Sequence, residues 1–288
     1  MSDLKNIGVI GAGMMGAEIA LCFALADCEV TLIDQDLETA QRGKQKLAGV
    51  LDKAIAKGRL QEEAKEAALE KIDPTGDLEP LASVDLVVEA VFEDLAVKQK
   101  IWREADQLCP EHCLLASNTS SLPITLLAAG LGEARRPRFL GAHFFSPASV
   151  MKLVEVIPGL ETSEEAVAEM SEACRFIGKT PIRVKDVPGF AVNRLLHAMW
   201  IEANRLVEEG VASVEDVDFA CKLGLGHPVG PYTLMDLTSN DLNLWVQEIL
   251  FDAYGERFRP RPVLRQKVHA NHLGRKTGRG WHDYSTPS

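Results

Sequence analysis

Residues 6–34, NIGVIGAGMMGAEIALCFALADCEVTLID, decide how the rest of the chain is read. An apolar run over residues 7–10 ends at Gly11, a helical pattern follows over residues 14–25, and residues 29–34 form a second β-rich run closing on an acid. Strand, glycine turn, helix and strand within about thirty residues make one βαβ unit. The turn reads Gly11-Ala12-Gly13-Met14-Met15-Gly16. Its glycines permit a tight turn, close approach of the backbone to a pyrophosphate, and tight packing of helix on strand, with the helix N-terminus facing the phosphates. A bare GxGxxG is a weak signal; one that ends a strand, opens a helix and is followed by an acid predicts a dinucleotide site. Asp34 would accept hydrogen bonds from the adenosine ribose hydroxyls and repel a 2′-phosphate, favouring NAD over NADP. Taken alone, Asp34 serves equally well as the cap of a helix beginning near Leu37.

Beyond this unit, residues 37–72 are charged and helix-favouring, and KGRL at residues 57–60 breaks them into a helical hairpin. VDLVVEAV (residues 84–91) is a continuous apolar run, as expected of a strand covered on both faces. DLAVKQKIWREADQL is amphipathic, CLLASN, RFLGAHF and MKLVEVI are further strands, SEEAVAEMSEACRFIG is a helix, and PIRV is the last strand of this half. After KDVPGF (residues 185–190) strand signals cease, and VNRLLHAMWIEANRLVEEG carries a helical apolar stripe. SVED at residues 213–216 resembles a helix start with an acid at its third position. The reading is an α/β domain over residues 1–187, with a helical hairpin insertion, followed by an all-α domain over residues 188–288.

The chain has 288 residues, 25% of them charged, and a formal net charge of −11, which argues against a broad nucleic-acid or anionic-membrane surface. No apolar run approaches the roughly 18 residues of a membrane span, and the N-terminus lacks a signal-peptide pattern, so a cytoplasmic protein is expected. Six cysteines show no secreted-scaffold density. CPEHC (residues 109–113) lacks a second Cys/His pair at metal spacing, and no metal is expected.

Two segments carry candidate chemistry. In GAHFFSPASVMKLVEVI (residues 141–157), His143 ends one apolar segment and Glu155 interrupts the next. A short connection would let the carboxylate fix the imidazole tautomer and stabilise its protonated form, leaving the other ring nitrogen to take a hydroxyl proton. A lone His in apolar surroundings is also a common satisfied core residue. SNTSSL (residues 117–122) sits where a strand meets a loop; by itself it is turn chemistry or the edge of a ligand crevice.

Together with VVEAVFEDLAVKQK, PGFAVNRLL, GLGHPVGPYTLMD and KTGRGWHDY, these segments resemble the L-3-hydroxyacyl-CoA dehydrogenase family from Ile7 to Tyr284. The resemblance implies a Rossmann-like domain followed by a helical domain that serves substrate closure and dimerisation, and NAD-dependent oxidation of an acyl-CoA 3-hydroxyl. It implies His143 as the base, Glu155 as its acid partner, Asn193 as an active-site amide, and Ser120 as a contact to both substrate and cofactor. Gly11 to Gly16, Asp34, Glu93, Lys98 and, from the helical domain, Lys276 would contact NAD, and Lys57 the CoA. Lys53, one turn before Lys57, is a further candidate for CoA; a solvated helix face explains these lysines too. Most of the family reads HFFNP, with the Asn near the nicotinamide; here Ser146 replaces it, as in the peroxisomal multifunctional members, and its cofactor contact is open. Two alternatives are an L-gulonate 3-dehydrogenase or lambda-crystallin type of enzyme and a non-catalytic NAD-binding protein. Lys57 and the GHPVGP loop favour the thioester. The expected partners are an acyl-CoA and a second copy of the chain, with no nucleic acid and no membrane.

Overall fold

A computed structural model of the chain describes residues 4–285. The chain divides into two compact units, Met1–Val187 and Pro188–Ser288.

The first unit is built on one eight-stranded sheet in the order β3-β2-β1-β4-β5-β6-β7-β8. Its strands are β1 (Asn6–Ile10), β2 (Glu29–Ile33), β3 (Ile72–Thr75), β4 (Leu86–Glu89), β5 (Leu114–Ser117), β6 (Phe139–Phe144), β7 (Leu153–Pro158) and β8 (Thr180–Arg183). All neighbours are parallel except β6 and β7. The strand order reverses between β1 and β4, the switch point at which open α/β sheets form a crevice beyond the carboxyl ends of their strands.

Among the described residues six α-helices accompany the sheet: α1 (Met14–Ala24), α2 (Leu37–Ala56), α3 (Glu62–Glu70), α4 (Leu95–Leu108), α5 (Ile124–Ala128) and α6 (Glu164–Phe176). Local chemistry starts most of the longer ones. Asp36, Asp94 and Ser163 cap α2, α4 and α6 by accepting from Thr39 N, Val97 N and Ala166 N at 2.7, 2.9 and 3.1 Å. Asp36, not Asp34, is therefore the cap of α2. The hairpin turn between α2 and α3 falls at Gly58, whose φ is +64°. Strand β3, IDPT, contains Pro74 and escapes sequence reading; it is an edge strand, where a missing N–H is tolerated. The inner strands are rich in buried apolar residues, and with α1 and α6 they contribute to one core that includes Ile7, Val9, Leu21, Phe23, Leu32, Val88, Leu140, Val156 and Met170.

The second unit is helical: α7 (Val192–Glu208), α8 (Val214–Gly224), α9 (Pro231–Thr238), α10 (Asn240–Tyr254) and α11 (Pro262–His269). Ser213 caps α8 by accepting from Asp216 N at 3.1 Å, while its own hydroxyl donates to Asp216 Oδ2 at 2.8 Å. Trp200, Tyr232, Met235, Leu264 and Trp281 form the core of this unit. The segment after α11 is laced down by buried acids. Asp236 accepts from Trp281 N, His282 N and Tyr284 Oη at 2.9–3.1 Å, and Asp218 from His282 Nε2 at 3.0 Å. No helix among the described residues is long and apolar enough to cross a membrane.

Candidate active site

The glycine turn lies at the carboxyl end of β1. Gly11 has φ +102°, and a Cβ there would lie 2.7 Å from Ala90 O. A Cβ on Gly16 would fall 1.7 Å from Gly11 O, so the third glycine lets α1 close onto the turn. Gly13 differs: a Cβ there meets nothing within 4 Å. It is the N-cap of α1, no side chain caps the helix, and the first turn holds no acid, so its backbone donors face an open cradle suited to an anion. Met14 is exposed and Met15 half-buried. Asp34 braces the turn, its two carboxylate oxygens accepting from Ala12 N at 2.6 Å and Gln35 N at 2.8 Å. The cradle and the acid at the end of β2 fit NAD.

Across the switch point, β5 ends in Ser117 and the chain turns through SNTSSL. Glu93, from the loop after β4, fixes this turn with one oxygen. Its Oε1 accepts from Thr119 Oγ1 at 2.6 Å, Ser120 N and Ser121 N at 2.9 Å, and Ser121 Oγ at 3.0 Å. Burial alone would raise the Glu93 carboxyl, but the Lys98 ammonium and these donors outweigh it and hold it below the usual carboxylate range. Asn118 Oδ1 accepts from Phe144 N at 2.8 Å and ties the end of β5 to the end of β6.

His143 and Glu155 are directly opposite one another in the antiparallel β6–β7 pair. Nδ1 lies 2.8 Å from Glu155 Oε2, with Glu155 fully buried. A carboxylate only accepts, so Nδ1 is the nitrogen that donates here, which leaves Nε2 as the position able to take a proton. Ser120 Oγ stands 3.2 Å from that Nε2. The result is a hydrogen-bonded chain of hydroxyl, imidazole and buried carboxylate at the carboxyl edge of β5 and β6, and the Phe145 ring packs 4.6 Å from the imidazole. The connection holding Ser146 is pinned from below. Glu18 Oε2 accepts from Ser149 N and Oγ at 2.9 Å, and Lys179 Nζ donates to Ala148 O and Met151 O at 2.5 and 2.8 Å. Ser146 itself is exposed and joined to Pro147 by a cis bond.

Other candidates are placed as follows. Lys98, on α4, is fully buried, with its ammonium 2.5 Å from Glu89 and 3.4 Å from Glu93. Lys53 and Lys57 stand exposed at the end of α2, apart from this network. Asn193 lies in the first turn of α7, and Lys276 pairs with Asp241 at 2.7 Å, both in the helical unit. Cys109 and Cys113 are buried beside Arg135, whose guanidinium donates to Cys109 O at 2.8 Å, so the CPEHC run is scaffold. No cluster able to hold a metal occurs among the described residues.

Glu89, Asn118, Thr119 and Glu18 escape the sequence reading as supports of the site. Asn118 and Thr119 fall inside the polar SNTSSL run, and an acid at the end of an apolar strand, as Glu89 is, is the signal that flags Asp34 directly after β2.

A glycine cradle for a dinucleotide beside a carboxylate-supported histidine defines an NAD-binding oxidoreductase acting on an alcohol or ketone. The family model described as the 3-hydroxyacyl-CoA dehydrogenase NAD binding domain matches residues 6–187, and that of the C-terminal domain matches residues 189–284. The chain belongs to the 3-hydroxyacyl-CoA dehydrogenase family. It is 42% identical over 284 residues to the probable 3-hydroxybutyryl-CoA dehydrogenase of Bacillus subtilis, covering 98% of both chains. It is 43% identical over 280 residues to the protein of the same description from Deinococcus radiodurans, covering 97% of this chain and all of the relative. The crystal structure of (S)-3-hydroxybutyryl-CoA dehydrogenase PaaH1 from Ralstonia eutropha superposes with TM-score 0.93 at 41% identity, over 99% of this chain and 100% of that one.

Proposed function

We propose that the chain interconverts a short 3-hydroxyacyl-CoA, 3-hydroxybutyryl-CoA foremost, and its 3-oxoacyl-CoA with NAD, and that His143, Glu155, Ser120 and Asn193 carry the reaction. The hydrogen-bonded chain from Ser120 through His143 to Glu155 is the observation that carries this reading. His143 Nε2 takes the proton of the 3-hydroxyl. Glu155, already aligned on Nδ1, stabilises the imidazolium that forms, and such a base contributes roughly 10²–10⁴ in rate. Ser120 Oγ hydrogen-bonds the reacting oxygen and holds C3 in line. Asn193 gives the same oxygen a further hydrogen bond, as the resemblance implies. When bound, NAD would supply the acceptor for the hydride that leaves C3.

For the cofactor, the backbone of Gly11 to Gly16 would cradle the pyrophosphate, Asp34 would take the ribose hydroxyls, and Glu93, Ser146 and Lys276 would hold the remainder, with the buried Lys98 serving the cofactor through Glu93 and not by direct contact. Lys57, with Lys53 one turn earlier, meets the CoA phosphates. Leu195, Leu223 and Leu225 of the helical unit, 73%, 82% and 68% exposed, support a homodimer formed through that unit. A cytoplasmic location fits six cysteines without a disulfide.

The test is acetoacetyl-CoA reduction by NADH, with L-gulonate oxidation by NAD as the control. Turnover of the thioester alone is expected. Turnover of gulonate alone would transfer the assignment to a sugar acid, and no turnover of either would leave a cofactor-binding protein.

A further inference from the structure

Beneath the carboxyl end of β4 lies a charge cluster that the proton transfer does not use. Glu89, the last residue of β4, and Lys98 are both fully buried. Glu89 Oε1 accepts from the Lys98 ammonium at 2.5 Å and from Val91 N at 2.8 Å, and its Oε2 accepts from Ser117 Oγ at 2.7 Å. The same ammonium donates to Val91 O at 3.3 Å and lies 3.4 Å from Glu93 Oε2. One buried cation thus faces two carboxylates and is shared unequally, in favour of Glu89. Glu93 spends Oε1 entirely on the 119–121 turn. Oε2 is the oxygen it has left for a ligand, and its side chain keeps 24% of its exposure.

We propose that Glu89 is a positioning residue for cofactor binding. By drawing the Lys98 ammonium down onto β4, it keeps Oε2 of Glu93 open as the acceptor for a hydroxyl or amide of NAD. The inference rests on the reading of Glu93 as a cofactor contact. The physical reason is competition for a single charge. An ammonium this deeply buried requires a carboxylate partner. Without Glu89, Glu93 is the carboxylate already beside it. A direct charge-assisted bond, at about 2.8 Å, would occupy Oε2 and pull Glu93 toward α4. The cofactor would then displace a strong internal partner before it could bind.

The experiment is a fluorescence titration of the whole protein with NADH, which requires no acyl substrate. Glu89→Gln keeps the shape and the acceptor for Val91 N but cannot hold the ammonium by charge. The dissociation constant for NADH is expected to rise about 10-fold, the loss of one charged hydrogen bond, and to change more than kcat does. Glu93→Gln alone should also weaken NADH, and adding Glu89→Gln to it should cost little more, because both act through one oxygen. An unchanged dissociation constant in Glu89→Gln, or full additivity of the two changes, overturns the proposal. If Glu89→Gln does not fold, Ser117→Ala, which removes one hydrogen bond to Glu89 and the long contact from Thr119 N at 3.3 Å but no charge, decides. It should weaken NADH two- to five-fold, on the order expected for one neutral hydrogen bond, and wild-type affinity would overturn the idea. Failure of the wild type on acetoacetyl-CoA sinks the assigned reaction and leaves these NADH results standing.

Discussion

His143 and Glu155 occupy opposite positions of one strand pair, so neither needs to search for the other. Replacing His143 by Ala should lower kcat by about 10²–10⁴ while the NADH dissociation constant stays within about three-fold, since proton transfer and not cofactor contact is lost. Glu155→Gln should likewise lower kcat far more than NADH affinity, and near-normal turnover of either variant removes the pair from the mechanism. Glu93 makes a second residue-level prediction. Its carboxyl is held below the usual range in the fold, so the unfolded chain binds its proton first as the pH drops. Its stabilising contribution is therefore complete above about pH 5 and disappears as the pH falls through the folded value. The melting-temperature gap between wild type and Glu93→Gln should be widest near neutrality and narrow progressively as the pH falls below 4.5, the ordinary value of the carboxyl. His143, Glu155 and the glycine turn are legible in sequence because each breaks a pattern: a charge inside a strand, a glycine at each required step. Glu89 and Thr119 are not, because the partners that tie them to the site, Ser117 and Glu93, lie 28 and 26 positions away with no periodicity to connect them.

Among the elements, α1 sets the cofactor site through its exposed start. Gly13→Ala introduces a methyl group where nothing lies within 4 Å, at φ −64°, a value open to any residue. It should leave the melting temperature within about 2 °C, as a strain-free surface change does, yet weaken NADH at least ten-fold by filling the phosphate cradle. Gly16→Ala, by contrast, should reduce both, because its methyl would meet Gly11 O at 1.7 Å. Helix α7 predicts a pH effect in the other unit. His197 is buried, and desolvation lowers its pKa from 6.5 to about 3. It stays neutral in the fold while the unfolded chain takes up a proton, so stability is lost as the pH falls from 6.5 toward 3. His197→Phe should flatten the dependence across this window by up to about 1.4 kcal/mol per pH unit, measured by denaturant unfolding. The longer elements are readable from periodicity and caps, as with Ser213 and α8. Strand β3 is not, because four residues containing a proline qualify as a strand only through the partner that β2 supplies.

At the scale of the whole molecule, a dimer should appear in sedimentation experiments. Charged replacements of Leu223 and Leu225, 82% and 68% exposed, should shift the chain toward monomers without altering its far-ultraviolet dichroism. The division into an α/β half and a helical half is visible in sequence as the end of the strand signals after KDVPGF. The lacing of the last segment is not, since Asp218 and Asp236 look like ordinary helix-surface acids until Trp281, His282 and Tyr284 are seen to end on them. That lacing bears on how the polypeptide is made. The first unit holds everything its sheet needs once residue 187 has emerged from the ribosome, and domains fold as units in the order of synthesis. The helical unit cannot close its core until Trp281 arrives, and until then Asp236, destined for burial, lacks the donors that Trp281 and His282 supply. During translation the half that binds the dinucleotide therefore precedes its companion, and a ribosome stalled short of residue 281 would display a finished nucleotide cradle joined to an open set of helices.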